Sequence, residues 1–93
     1  MVALLSDIEV QAKLNDLTGW AQVDKTIQII KTFDGFPSAI AFVNKLVVPA
    51  EAAGHHPDIA ISYNRVTISL TTHDAGGLTQ QDFDMAAQIN RLI

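Results

Sequence analysis

The chain's three histidines, His55, His56 and His73, fall in one stretch that also carries Glu51, Tyr63 and Asp82. Histidine is the side chain whose unperturbed pKa lets it give or take a proton near neutral pH. Concentrating all of it in one frame, among acids, points to general acid–base chemistry, in which one imidazole delivers a proton while another removes one. Other chemistries fit less well. Three histidines can form a catalytic zinc set, but neighbouring residues of an extended segment point to opposite sides, and no His-Glu-x-x-His spacing occurs. With zero cysteines there is no thiol nucleophile, and the Gly-x-Ser-x-Gly turn of serine hydrolases is absent. The expected site uses no metal.

Each of these residues also has a plain structural use. Adjacent histidines at a helix end can simply complement the helix dipole and the last carbonyls. His73 alone would read as an exposed strand-end residue, and Thr72 and Asp74 as its polar neighbours. Tyr63 and Trp20 read first as sheet or core aromatics, and Asp82 as half of a helix capping box. Glu51 sharpens the functional reading. In a last helical turn its carboxylate sits at the wrong pole of the dipole, and a histidine one turn later would compensate and be oriented by it.

Several elements must position these groups. Ser6 and Glu9 have capping-box spacing, with Leu5 and Val10 as a hydrophobic staple, and Val10, Leu14 and Leu17 then share a helical face ending near Gly19. Trp20 to Val23 and Thr26 to Phe33, joined at Asp24-Lys25, predict a β-hairpin. A second helix is expected from Phe36, with Pro37 in its first turn and Phe36, Ile40, Val43 and Val47 on its buried face. Pro49 should kink that helix rather than end it, and Gly54 should stop it. Pro57 holds His56 extended, which puts both adjacent histidines at a helix-to-strand junction. Ile59 to Tyr63 alternates, Asn64-Arg65 supplies a turn, and Val66, Ile68 and Leu70 oppose Thr67, Ser69, Thr71 and His73. A loop at Ala75-Gly76-Gly77 leads to a last helix capped by Thr79 and Asp82, with Leu78 stapled to Phe83. The fold class that follows is α+β: a four-stranded antiparallel sheet with three helices packed on one face, in the order α-β-β-α-β-β-α.

The run Glu51-Ala52-Ala53-Gly54-His55-His56-Pro57, then Tyr63, then Thr71-Thr72-His73-Asp74-Ala75-Gly76-Gly77-Leu78-Thr79 and Asp82, resembles the signature of the pterin-4a-carbinolamine dehydratases. The resemblance implies the same fold and a substrate that is a tetrahydropterin hydroxylated at ring carbon 4a, dehydrated to quinonoid dihydropterin in tetrahydrobiopterin recycling. It implies His55 and His73 as the acid–base pair, without deciding which is which, and His56 as the residue that binds and orients the pterin. Glu51 and Asp82 would support the histidines, while Gly54, Thr71, Thr72, Asp74 and Trp20 would border the pterin. No cofactor is implied, because the substrate is itself a spent cofactor. Family members form dimers that pair into tetramers, and some act instead as non-catalytic dimerisation or assembly cofactors for a partner protein. Retention of all three histidines favours catalysis here. Two positions depart from the pattern: Ile59 stands where many members carry tryptophan, and Pro49 is unusual in a helix that takes part in subunit packing.

Composition limits the remaining choices. Ninety-three residues suit one domain spanning 1–93, and a chain this short is marginal without an added source of stability. Hydrophobic residues are 48% of the chain and mean hydropathy is +0.22, so self-association is the expected source in a chain with no disulfides. A net charge of −4, with only six scattered Lys and Arg, disfavours nucleic acid as a partner. Met1 to Leu5 lacks the basic start of a secretory signal. The apolar stretch from Ala39 to Ala53 is broken by Asn44, Lys45 and Glu51, so no membrane span and a cytoplasmic location are expected.

Overall fold

Reciprocal caps open the first and last helices. In the computed structural model, which describes residues 3–93, Ser6 Oγ accepts from the Glu9 N–H at 3.2 Å and Glu9 Oε1 accepts from the Ser6 N–H at 2.9 Å. These bonds satisfy donors that a helix start leaves orphaned. Helix α1 (Asp7–Leu14) follows, then strands β1 (Ala21–Val23) and β2 (Thr26–Thr32), helices α2 (Phe36–Lys45) and α3 (Val47–Ala53), and strands β3 (Asp58–Ser62) and β4 (Arg65–Leu70). A short 3-10 turn (His73–Ala75) leads into helix α4 (Gln80–Leu92), whose cap again has both partners, Thr79 and Asp82. Met1 and Val2 lie outside the described residues, and with them part of the expectation about the Met1–Leu5 start.

The sheet is antiparallel, in the order β1-β2-β4-β3. Ile27 pairs with Leu70 and Ile29 with Ile68, while Ile59 and Ile61 of β3 stand opposite Ile68 and Val66. Partners in register share a face. Ile27, Ile29, Val66, Ile68 and Leu70 are all buried, against Phe42, Leu46, Phe83, Met85 and Ile89 of the helical layer. The α+β architecture, with a four-stranded antiparallel sheet and its helices on one face, is that expected; the strand order in the sheet is a finding of the structure. No helix among the described residues is long and apolar enough to cross a membrane.

Three local expectations need correction. The second helix breaks at Leu46 instead of kinking at Pro49. A proline ring collides with the carbonyl four residues earlier, here that of Lys45, so the disturbance falls ahead of the proline. Leu46 N–H turns back to the Val43 carbonyl at 3.0 Å, and Pro49 then lies in the first turn of α3, where its missing donor costs little. The buried stripe of this helix pair is Ala39, Phe42, Leu46 and Ala50, one position away from the expected one: Phe36 and Val47 are exposed, and Ile40 and Val43 half-buried. Small alanines let the helices sit close to the sheet. Tyr63 is no core aromatic. It occupies the β3–β4 turn with φ 53° and is 68% exposed, and the turn residues are Tyr63-Asn64.

Candidate active site

Helix α3 ends in a way that delivers His55 to the site. Gly54 takes the left-handed conformation, φ 61°, which costs a residue without Cβ nothing. Gly54 N–H donates to the Glu51 carbonyl at 3.2 Å and His55 N–H to the Ala50 carbonyl at 3.1 Å, the two bonds of a Schellman closure. His55 therefore leaves the helix at a fixed angle. His73 comes from the other segment. Strand β4 stops at Leu70, short of the expected end, and His73 opens the 3-10 turn, which is tied through Ala75 N–H and Gly76 N–H to the Thr72 carbonyl at 3.1 and 3.0 Å.

These segments border one cleft of about 320 Å³, lined by Gly54, His55, His56, Thr71, Thr72, His73, Asp74 and Gln81. All three histidines are brought together, with four of the five residues that the resemblance implied around the substrate. Trp20, which read first as a core aromatic and which the resemblance placed beside the pterin, is the exception: it does not line this cleft. It is buried in the core, and its indole N–H donates to Asn90 Oδ1 at 2.9 Å, near the far end of α4. Asn90 lies eight residues from Asp82, about 12 Å along a helix. An indole body that fills core space with its one donor satisfied has no reason to turn to the cleft.

Both histidine–carboxylate pairs are defined. His55 Nε2 lies 2.6 Å from Asp82 Oδ1, and His56 Nε2 is hydrogen-bonded to Glu51 Oε2. Glu51 thus meets a histidine as anticipated, and that histidine is His56. The pairs differ in setting. Asp82 is 0% exposed, whereas Glu51 and His56 are at the surface. Asp82 Oδ2 accepts from Thr72 Oγ1 and from the Thr79 N–H, both at 2.9 Å, and Thr72 Oγ1 lies 2.7 Å from Thr79 Oγ1. No buried side-chain nitrogen or oxygen among the described residues is left without a partner. A carboxylate buried on these terms is compatible with a stable fold.

The polar groups facing the cleft are not equivalent. Thr71 Oγ1 donates its only hydrogen to the Lys25 carbonyl at 2.7 Å, and Thr72 gives its own to Asp82. His73, Asp74 and Gln81 have no side-chain hydrogen bond to another described residue. Gln81 was missed by sequence reasoning. Its signal was its place two residues after the Thr79 cap, in the turn that also carries Asp82.

A family profile described as pterin 4 alpha carbinolamine dehydratase matches residues 3–92. This chain belongs to the pterin 4 alpha carbinolamine dehydratase family. Curated members that carry the dehydratase name provisionally include one from a Cyanothece species, 63% identical over 99% of this chain and 95% of its own. Another, from a Nostoc species, is 59% identical over 99% of each. The crystal structure of a Brucella melitensis transcriptional coactivator/pterin dehydratase superposes with a TM-score of 0.90 at 34% identity, covering 95% and 96% of the two chains. A pterin dehydratase-like protein identified as a RuBisCO assembly factor in the alpha-carboxysome shares the fold at a TM-score of 0.66 and 23% identity, over 80% of this chain and 88% of its own. The dehydratase family match spans the whole described fold, cleft included.

Proposed function

We propose that this chain removes water from 4a-hydroxytetrahydropterin, yielding quinonoid dihydropterin, as a step in tetrahydrobiopterin recycling in the cytoplasm. His55 and His73 form the acid–base pair. One imidazolium gives its proton to the 4a hydroxyl, the C4a–O bond breaks, and water leaves. The adjacent ring nitrogen forms a double bond to C4a and gives its proton to the other imidazole. One proton enters and one departs, so the pair ends the cycle with its protons exchanged and needs no metal or cofactor. Acid–base help of this kind is worth roughly 10²–10⁴-fold in rate. His56, held by Glu51, binds and orients the pterin, and Gly54, Thr71, Thr72, Asp74 and Gln81 border it.

The observation that carries this reading is the convergence of three histidines, from segments on either side of the β3–β4 hairpin, on one cleft of about 320 Å³. The test is a stopped-flow assay of the purified protein on freshly generated carbinolamine, followed by the absorbance of the quinonoid product. Dehydration faster than the buffer-catalysed rate supports the reading, and a rate equal to buffer refutes it.

A second reading, a non-catalytic dimerisation or assembly cofactor, is favoured by exposed apolar side chains outside the cleft, Val47 and Val48 on α3 and Tyr63 beyond β3. The names of the two solved structures include coactivator and assembly roles. A protein inactive on carbinolamine that copurifies stoichiometrically with a partner would favour it.

A further inference from the structure

We infer that Thr72 is a positioning residue which, with the Thr79 hydroxyl behind it, locks the His55 imidazole in the tautomer protonated on Nε2. The inference deepens the proposed dehydration and rests on it for its kinetic consequence, though not for its structural one. Counting hydrogens fixes the direction of every bond in the cluster. Asp82 Oδ2 accepts from the Thr72 hydroxyl and the Thr79 N–H, and as a carboxylate the group has no hydrogen to give, so Oδ1, 2.6 Å from His55 Nε2, can only accept there. A threonine hydroxyl has one hydrogen. Thr72 spends its hydrogen on Asp82, so the 2.7 Å contact between the two threonine oxygens must be a donation from Thr79 to Thr72. Thr79 Oγ1 in turn accepts from the Gln81 N–H at 3.3 Å. The chain of donors runs one way, from the start of α4 through two hydroxyls to the carboxylate, and bonds aligned in this way polarise one another.

The consequence falls on His55. Its Nε2 faces an acceptor and must carry the hydrogen, so in the neutral ring Nδ1 is the unprotonated nitrogen. Nδ1 has no partner among the described residues, which leaves it available to the cleft that His55 lines. Thr72 also acts on the other side of the site. Its carbonyl anchors the His73 turn, and its N–H bonds the Gly77 carbonyl at 3.0 Å. One buried threonine therefore holds the carboxylate of one candidate histidine and the backbone of the other.

The test is long-range nitrogen–proton NMR of the His55 ring, read beside kcat and KM. In the wild-type protein the neutral His55 ring shows Nε2 protonated; a ring protonated on Nδ1 overturns the inference without any variant. In Thr72→Val, which removes the hydroxyl at nearly constant shape, a measurable Nδ1-protonated population appears and kcat falls about tenfold with little change in KM. Thr72→Ser recovers most of that loss. A folded Thr72→Val with an unaltered tautomer and wild-type kcat overturns the role of the hydroxyl.

Asp82→Asn gives an independent arm, and decides the matter if Thr72→Val does not fold. Two donors converge where Oδ2 lies, so the amide oxygen must take that place and the amide nitrogen must face His55. Nε2 then has to accept, and the ring inverts to Nδ1 protonation, with a loss of kcat of about a hundredfold or more. An uninverted ring in Asp82→Asn overturns the hydrogen count. Should no form of the protein dehydrate carbinolamine, the proposed function fails, while the NMR arms still decide the tautomer lock.

Discussion

His55 and Asp82 are 27 residues apart in sequence, yet the imidazole Nε2 and the carboxylate Oδ1 approach to 2.6 Å. The same carboxylate accepts the Thr79 N–H at 2.9 Å as the acidic half of the α4 capping box. The helix start and the candidate acid–base group thus share one side chain, which makes the site sensitive to changes that would elsewhere affect stability alone.

The histidines should separate by kinetic parameter. His55→Ala and His73→Ala are each expected to lower kcat for carbinolamine dehydration at least tenfold, about 1.4 kcal/mol or more in barrier. The double variant should fall to the buffer rate. Wild-type turnover in the double variant would sink the acid–base assignment.

His56 belongs to a different pair, exposed and held by Glu51. His56→Ala and Glu51→Gln should raise KM by several-fold and leave kcat within about threefold, because an exposed pair contributes modestly and acts on binding. A large kcat effect with unchanged KM would reassign His56 to the chemistry.

Metal removal should change nothing. No group of three or more His, Asp and Glu among the described residues has an arrangement able to hold a metal ion. Activity should survive incubation with a chelator and dialysis. Loss of activity to the chelator and its return with zinc would overturn the metal-free mechanism.

The first helix offers a pH test. The Ser6 N–H foremost, with the Ser6 hydroxyl, holds the Glu9 carboxyl below the usual range. A depressed carboxyl stabilises the fold above its unfolded pKa, about 4.3, and that contribution is lost as pH falls through the lower folded value. Wild type should therefore exceed Glu9→Gln in urea midpoint at pH 7, with the gap closing on acidification below pH 4. A gap independent of pH would mean the cap does not act through the charge.

Assembly can be read from mass. Every residue of β3 is exposed, and that strand is an outer edge of the sheet. An unpaired edge beside apolar Ile59 and Ile61 invites pairing with a second copy. Light scattering at micromolar concentration should give at least a dimer. A mass near 10.1 kDa, that of one chain, would show that the edge stays unpaired.

Much of this was legible in the sequence because it is local. Both capping boxes, the Asp24-Lys25 turn and the Gly54 stop depend on residues within one turn of each other. Val66, Ile68 and Leu70 were placed by alternation alone. The helix pair was read one position out, since bulky Ile40, Val43 and Val47 outweigh Ala39 and Ala50 in any sequence pattern. Only the approach of the sheet makes the alanines the buried stripe. Trp20 lies in the core, as its residue type suggested, but its hydrogen-bond partner was hidden, because Asn90 is 70 residues away. Which acid meets which histidine was equally hidden. His55 and His56 are adjacent, yet one meets the buried Asp82 and the other the exposed Glu51.

Helix ends fray, and in most proteins the opening of a first turn passes unnoticed. At α4 it cannot. Each opening that parts the Thr79 N–H from Asp82 also loosens the carboxylate against His55, so the candidate site is intact only for the fraction of time that this turn is closed. Amide exchange at Thr79 and turnover should therefore follow one equilibrium. Warming or mild denaturant should abolish the proposed dehydration before the sheet melts.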